Sequence, residues 1–298
     1  MRIVNLLQSY EKRRLYRRTA PFLLKLRDFA ILSLFLLLLI KSSFMKKIAL
    51  ITGATAGFGE AIAHELASHN YNIIITGRRK DRLQKIQKEL ETNHGAEVLA
   101  LNFDVRKLDE VKKNLSALPE KWQQIDVLVN NAGLASGLSS IQEGDTEDWE
   151  KMIDTNVKGL LFVTRTISPL MIKNKKGHII NIGSVAGKEV YANGNVYCAT
   201  KHAVDALTKA MRIDLLQHGI RVTGICPGMA ETEFSLVRYH GDEAKAKNVY
   251  KGIDALTAKD IAEVVYFAIS RPAHVNISDV VITPTQQATA TYVVRRDA

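Results

Sequence analysis

What most constrains the fold is a strict alternation that begins at Lys47. KIALIT (47–52) is an apolar run with β-branched residues bounded by Gly53, as a buried strand requires. GFGEAIAHELASHN (57–70) follows as a helix, with Ile62 and Leu66 four apart on one face. NIIITG (72–77) reads as a second strand. RKDRLQKIQKELETN (79–93) reads as an amphipathic helix with Leu83, Ile86 and Leu90 along one stripe, and EVLALNFDV (97–105) as a third strand. The pattern continues through DVLVNN (126–131), a helix from Trp149 to Ile172, GHIINIGS (177–184), a helix from about Val196 to Leu216, IRVTGICPG (220–228), a helix opening at Thr257, and DVVIT (279–283). Thr257, with Asp260 three residues on, is spaced as a capping box. Near-continuous apolar strands alternating with helices need a parallel sheet covered on both faces. The expected fold class is therefore α/β: one doubly wound domain over 45–298, with about seven strands, behind a short extension, 1–44.

Charge divides the chain at the same place. Residues 1–44 carry 9 Lys/Arg and 2 Asp/Glu, a balance of +7; the rest of the formal +10 leaves only +3 for 45–298. The body is thus not a basic nucleic-acid binder, and the basicity belongs to the leader. Cys198 and Cys226 have no CxxC or metal-ligand spacing and suit a reducing compartment. His64, His69, His178 and His202 form no metal pattern, so no metal is expected.

TGATAGFG places Gly53, Gly57 and Gly59 between the first strand and the first helix. Backbone can pass close to a pyrophosphate there, and the helix N-terminus supplies N–H groups and dipole to the phosphates. The spacing is GxxxGxG rather than GxGxxG, and a tight turn alone would use the same glycines. The second strand ends in Thr76-Gly77 followed by Arg78 and Arg79, with no carboxylate before Asp81. An acidic residue near this point would hold a ribose 2′-hydroxyl, whereas guanidiniums grip a 2′-phosphate. The expected cofactor is NADP(H), with Arg78 as the principal contact. Arg79 either assists it or simply opens the next helix.

Taken together, TGATAGFG, NNAG (130–133), Asn156, Ser184, YCATK (197–201) and PG (227–228) resemble the short-chain dehydrogenase/reductase family over essentially all of 45–298. That resemblance implies a Rossmann fold. It implies cofactor contacts from Gly53, Thr55, Ala56, Gly57, Phe58 and Gly59, from Arg78 and Arg79, and from Pro227, Gly228 and Thr232. It puts Asn131 beside the adenosine ribose, where the residue could otherwise be a turn former, and Asp104 near the adenine. It also implies that Lys201 binds the nicotinamide ribose, that Asn156 holds a water in a proton relay, and that the protein is a cytoplasmic homotetramer.

The chemistry of the central pair follows from spacing. Tyr197 and Lys201 are four apart and share a helix face. A phenol titrating at about 10 is a poor base at neutral pH. An adjacent ammonium and a positive nicotinamide ring favour phenolate, and a three-unit reduction needs roughly 4 kcal/mol. Tyr197 is then the general acid/base, giving or taking the proton on the substrate oxygen, and Ser184 orients that oxygen. Cys198, beside Tyr197, reads as a packing residue.

Within the family, the sequence looks closest to bacterial NADP-dependent 3-hydroxy acid dehydrogenases, which act on serine, allo-threonine and related acids and reduce malonic semialdehyde. ITGATAGFGE, TGRRKDRLQ, MIDTNVKGL, INIGSVAG, YANGNVYCATK, TEFSLVR and RPAHVNIS carry that likeness. A small carboxylate substrate needs a cation. Residues 229–252 form a long segment of the kind that closes over a cofactor, and Arg238 lies on it. Arg238 either binds the substrate carboxylate or pairs with Asp242 or Glu243. Ala230, Glu231 and Asn193 depart from small or glycine residues usual at their positions. The alternative functions are a membrane-associated reductase of lipid or steroid carbonyls and a non-catalytic NADPH-binding regulator; the intact Asn156, Ser184, Tyr197 and Lys201 argue against the latter.

The apolar run Phe29–Ile40 is 12 residues, short of the about 20 that span a bilayer. No A-x-A cleavage site follows, and the basic flank would keep residues 1–28 inside and send the domain outside. The expectation is that Met45 is the native start. The competing reading is an interfacial anchor that holds the enzyme on the cytoplasmic membrane face.

Overall fold

The computed structural model describes residues 46–296. The expectations for 1–44 lie outside the described residues. Among those described, no helix is long and apolar enough to cross a membrane.

Seven strands form one parallel sheet: β1 Lys47–Ile51, β2 Tyr71–Gly77, β3 Val98–Asn102, β4 Ile125–Asn130, β5 Gly177–Ile182, β6 Ile220–Pro227 and β7 Asp279–Ile282. Their order is β3-β2-β1-β4-β5-β6-β7. The helices α1 (Gly57–Ser68), α2 (Lys80–His94) and α9 (Ala258–Ile269) cover one face. The helices α3 (Leu108–Leu115), α5 (Leu160–Asn174) and α6 (Asn195–Asp214) cover the other, with α4 (Thr146–Ile153) leading into α5. Period-2 geometry divides β1 between the layers: Ala49 and Ile51 pack with α1 and α9, Ile48 and Leu50 with α3 and α5. Leu50 and Ile51 are fully buried. Truncating either to alanine would cost about 2–5 kcal/mol, because a close-packed layer relaxes little around a lost side chain.

The predicted strands and the Thr257–Asp260 capping box are present; Thr257 accepts from the Asp260 N–H and Asp260 reaches back to the Thr257 N–H. Two features differ. Helix α3, buried through Val111 and Leu115, was not anticipated. The helix expected from Trp149 to Ile172 is interrupted by a π segment, Asp154–Gly159. That segment buries Thr155, Asn156 and Gly159. A buried chain of amides then bolts the layers at the ends of the strands: Asn130 Nδ2 donates to Thr164 Oγ1 and Asn181 Oδ1, and Asn181 Nδ2 to Thr208 Oγ1, each at 2.9 Å.

After β6 the chain crosses above the strand ends as two short helices, α7 (Phe234–Arg238) and α8 (Glu243–Asn248). This is the segment read from sequence as a lid.

Candidate active site

The chain reverses its winding direction between β1 and β4, and ligands in such sheets bind beyond the C-terminal strand ends at that point. Loops leaving β1 through β6 all reach one cavity of about 510 Å3 there.

The three glycines of the first loop have different reasons. Gly57 has φ +56°, and a Cβ there would point toward Thr232 of the lid, across the cleft. Gly53, at φ +65°, turns the chain against Ala132. Gly59 does not line the cavity: its Cβ would fall 2.5 Å from Asn131 Nδ2 and from the Gly53 carbonyl. Packing alone therefore requires glycine at this position. Asn131 is likewise committed, since its Nδ2 donates to the Thr52 and Gly53 carbonyls at 2.8 and 3.1 Å. It clasps β1 to β4 while its residue lines the cavity.

Thr55, Ala56, Phe58, Asp104, Pro227, Gly228 and Thr232 all line the cavity, as do Arg78 and Arg79. Asp104 is gripped by Arg106 at 2.6 Å. Burial works to raise its carboxyl, but the Arg106 contacts and the Arg78 charge outweigh it and hold it below the usual range. Gly228 is glycine because Gln287 packs directly over its backbone, where Gln287 Oε1 accepts from the Met229 N–H at 2.7 Å. Asn193 sits at φ +63°, which explains why glycine suits that position and why asparagine is tolerated.

Ser184, Tyr197 and Lys201 converge on the same wall. Tyr197 is 8 % and Lys201 7 % exposed, so both titrate in a poorly solvated site. Lys201 Nζ donates to the Ile182 carbonyl at 2.9 Å and lies 6.0 Å from the Tyr197 ring centre. Burial pulls Lys201 down to about 8. Burial pushes the Tyr197 phenol up. The opposing influences are first the Arg238 charge and then the Ser184 hydroxyl, and Lys201 is not among them. Desolvation thus outweighs the Arg238 charge and the Ser184 hydroxyl. Asn156 is buried in the π segment and does not line the cavity. Its side chain accepts from Leu134 N at 2.8 Å and donates to Leu134 O at 2.8 Å and Thr200 Oγ1 at 3.0 Å. These bonds occupy both amide protons and one lone pair of Oδ1.

Arg238 lines the cavity. It pairs with neither Asp242 nor Glu243; Asp242 caps α8 and meets Lys245. Its guanidinium carbon instead lies 5.0 Å from the ring centres of Tyr197 and Phe234, and Nη2 donates to Tyr191 Oη at 2.8 Å. Its Nε is buried and makes no hydrogen bond. Tyr191, Phe234, Tyr250 and Gln287 also line the cavity, and none was singled out from sequence. Tyr250 Oη bonds Ser235 Oγ and the Ala230 carbonyl, bracing the lid from inside.

These residues fit a dinucleotide. No side chain caps the α1 N-terminus at Ala56, so its first N–H groups are free for phosphate oxygens. Arg78 has no hydrogen-bond or ion-pair partner among the described residues, and the buried Thr155 hydroxyl that lines the cavity is also without one. As for metals, one group among the described residues, Glu60, His64 and Glu89, brings three possible ligand atoms within 4.8 Å of one another. None of the three lines the cavity, and His64 already meets Glu89 at 3.7 Å and His94 at 3.4 Å.

Comparison with known proteins agrees with this geometry. A family model described as short chain dehydrogenase matches residues 47–241. The NADP-dependent 3-hydroxy acid dehydrogenase of Salmonella typhi is 48 % identical over 250 residues, 84 % of this chain and 99 % of the relative. That of Schizosaccharomyces pombe is 42 % identical over 253 residues, 85 % and 98 % of the two chains. The closed form of a serine dehydrogenase complexed with NADP+ superposes with a TM-score of 0.79 at 45 % identity, covering 84 % of this chain and all of the other.

Proposed function

The chain belongs to the short-chain dehydrogenase family, and we propose that it is an NADP(H)-dependent oxidoreductase of small 3-hydroxy acids such as serine, allo-threonine and 3-hydroxypropionate. The observation that carries this reading is that Ser184, Tyr197, Lys201 and Arg238 border one cavity with an unpartnered Arg78. Glycine loop, α1 N-terminus and Arg78 would hold the dinucleotide phosphates. A nicotinamide bound there supplies the hydride acceptor or donor. Tyr197 Oη takes the proton from the substrate hydroxyl on oxidation and returns it to the carbonyl oxygen on reduction. Ser184 Oγ, fixed by the Ala186 N–H at 3.1 Å, orients that oxygen. The Arg238 guanidinium receives the carboxylate of the acid and makes ionised Tyr197 less costly.

The relatives named for 3-hydroxy acids and serine support this substrate class. Two buried free cysteines, Cys198 and Cys226, suit the reducing cytoplasm we propose as its location. The family resemblance supports a homotetramer, which light scattering would measure; Leu161 on α5 and Ile213 on α6 are exposed apolar residues that an interface would cover. The deciding assay follows absorbance at 340 nm with NADP+ and L-serine or 3-hydroxypropionate, and NAD+ in parallel. Turnover selective for NADP+ is expected. Tight NADPH binding without turnover of either acid would reject the substrate class.

A further inference from the structure

Adjacent arginines at the end of β2 meet different fates. Arg78 lines the cavity and makes no hydrogen bond or ion pair with a described residue, though its charge is felt by Asp104. Arg79 is nearly saturated: Nε and Nη2 donate to Thr55 Oγ1 at 3.1 and 2.9 Å, Nη2 also to the Thr55 carbonyl at 3.1 Å, and Nη1 to Glu233 Oε2 at 2.9 Å. These four contacts leave one of the five guanidinium N–H groups, too few for a second forked grip. The other Glu233 oxygen accepts from Arg82 Nη1 at 2.6 Å. Burial works to raise the Glu233 carboxyl, and the two guanidiniums outweigh it and hold it below the usual range.

The position of Glu233 gives the contact a purpose. It is the residue before α7, and its chain neighbours are the ones that cover the site. Thr232 stands over Gly57, and the Phe234 ring lies 5.6 Å from that of Tyr197. Thr55, at the other end of the Arg79 fork, is buried in the glycine loop. One guanidinium therefore joins glycine loop, β2 and lid.

We propose that Arg79 and Arg82 form a latch for Glu233 that holds the lid over the bound dinucleotide, while Arg78 alone distinguishes the 2′-phosphate. The division of labour rests on the NADP(H) reading; the latch itself concerns how long any bound nucleotide stays. It also predicts a sign. Were Glu233 merely a negative bystander near a 2′-phosphate, its neutralisation would tighten NADPH binding.

The test measures NADPH and NADH dissociation from the full chain by rapid mixing, using nicotinamide fluorescence, with equilibrium Kd for both. Glu233→Gln and Arg82→Met are expected to speed release of NADPH about three- to tenfold, leaving the NADH/NADPH Kd ratio within about twofold of the unmodified chain. Arg78→Met is expected to collapse that ratio at least tenfold. Tighter NADPH binding or unchanged release in Glu233→Gln overturns the latch. A shift in the Kd ratio on Arg79→Lys as large as that from Arg78→Met overturns the division of labour. If the unmodified chain binds NADH and NADPH equally, the NADP(H) reading and the role of Arg78 fall, but faster release of either nucleotide from Glu233→Gln would still establish the latch.

Discussion

Arg238→Met keeps roughly the apolar stem of the side chain and removes its charge and donors. In the structure only Nη2 is spent within the protein, on Tyr191, while Nε is buried with no partner. The guanidinium thus has donors left for a carboxylate. A charge-assisted hydrogen bond of this kind is worth about 1.5–3 kcal/mol, or about 10- to 150-fold in KM. Arg238 is half-buried, so solvent screening favours the lower part of that range. The assay is steady-state oxidation by NADP+ of 3-hydroxypropionate and of its neutral methyl ester. The acid KM should rise more than tenfold and the ester KM by less than about threefold. A fall in kcat shared by both substrates is also expected, because Arg238 opposes the upward push of burial on Tyr197. Parallel rises in KM for acid and ester would refute the carboxylate contact. Arg238→Lys should recover part of the loss, since it restores charge without the fork.

Three further outcomes can be checked. Tyr197→Phe should lower kcat by about 10²–10⁴-fold while NADPH affinity, read by fluorescence, stays within about twofold. Gly228→Ala should cost about 1–3 kcal/mol in urea unfolding, because the new methyl meets Gln287 and Thr283 and strips the Met229 N–H of its acceptor. Buried His178 is pulled down to about 3 by burial and by Arg221, whereas an unfolded histidine protonates near 6.5. The unfolded chain binds more protons in between, so this contribution to stability is complete above about pH 6.5 and declines toward pH 3, by up to about 1.4 kcal/mol per unit. Urea midpoints at pH 7, 6 and 5 should fall less steeply in His178→Gln; equal slopes would show that His178 is not responsible.

The strands were legible because a sheet buried on both faces leaves uninterrupted apolar runs, as in Ile73–Ile75. Tyr197 and Lys201 were legible because four residues is a helical neighbour distance. The π segment was not: nothing in DTNVKG marks one extra residue per turn, so Asn156 could be nominated but not oriented. Helices α7 and α8, of five and six residues, are too short for any periodicity to register. The contacts that fix the site also span distances a local pattern cannot carry, Arg238 to Tyr191 across 47 positions and Arg79 to Glu233 across 154. Burial was the other hidden quantity. Spacing set Lys201 beside Tyr197, but only packing reveals that desolvation governs both groups.

The segment after β7 returns to brace the lid from the far side. Gln286 Nε2 and the Arg296 N–H both donate to the Gly252 carbonyl at 2.9 Å, and the Arg295 guanidinium holds the Lys251 and Val249 carbonyls at 2.6 and 3.0 Å. Ala290 lines the cavity itself. An affinity tag fused after this stretch, or a proteolytic nick within it, would therefore register as an altered nucleotide off-rate before any loss of fold, and preparations differing only there would differ in kinetics.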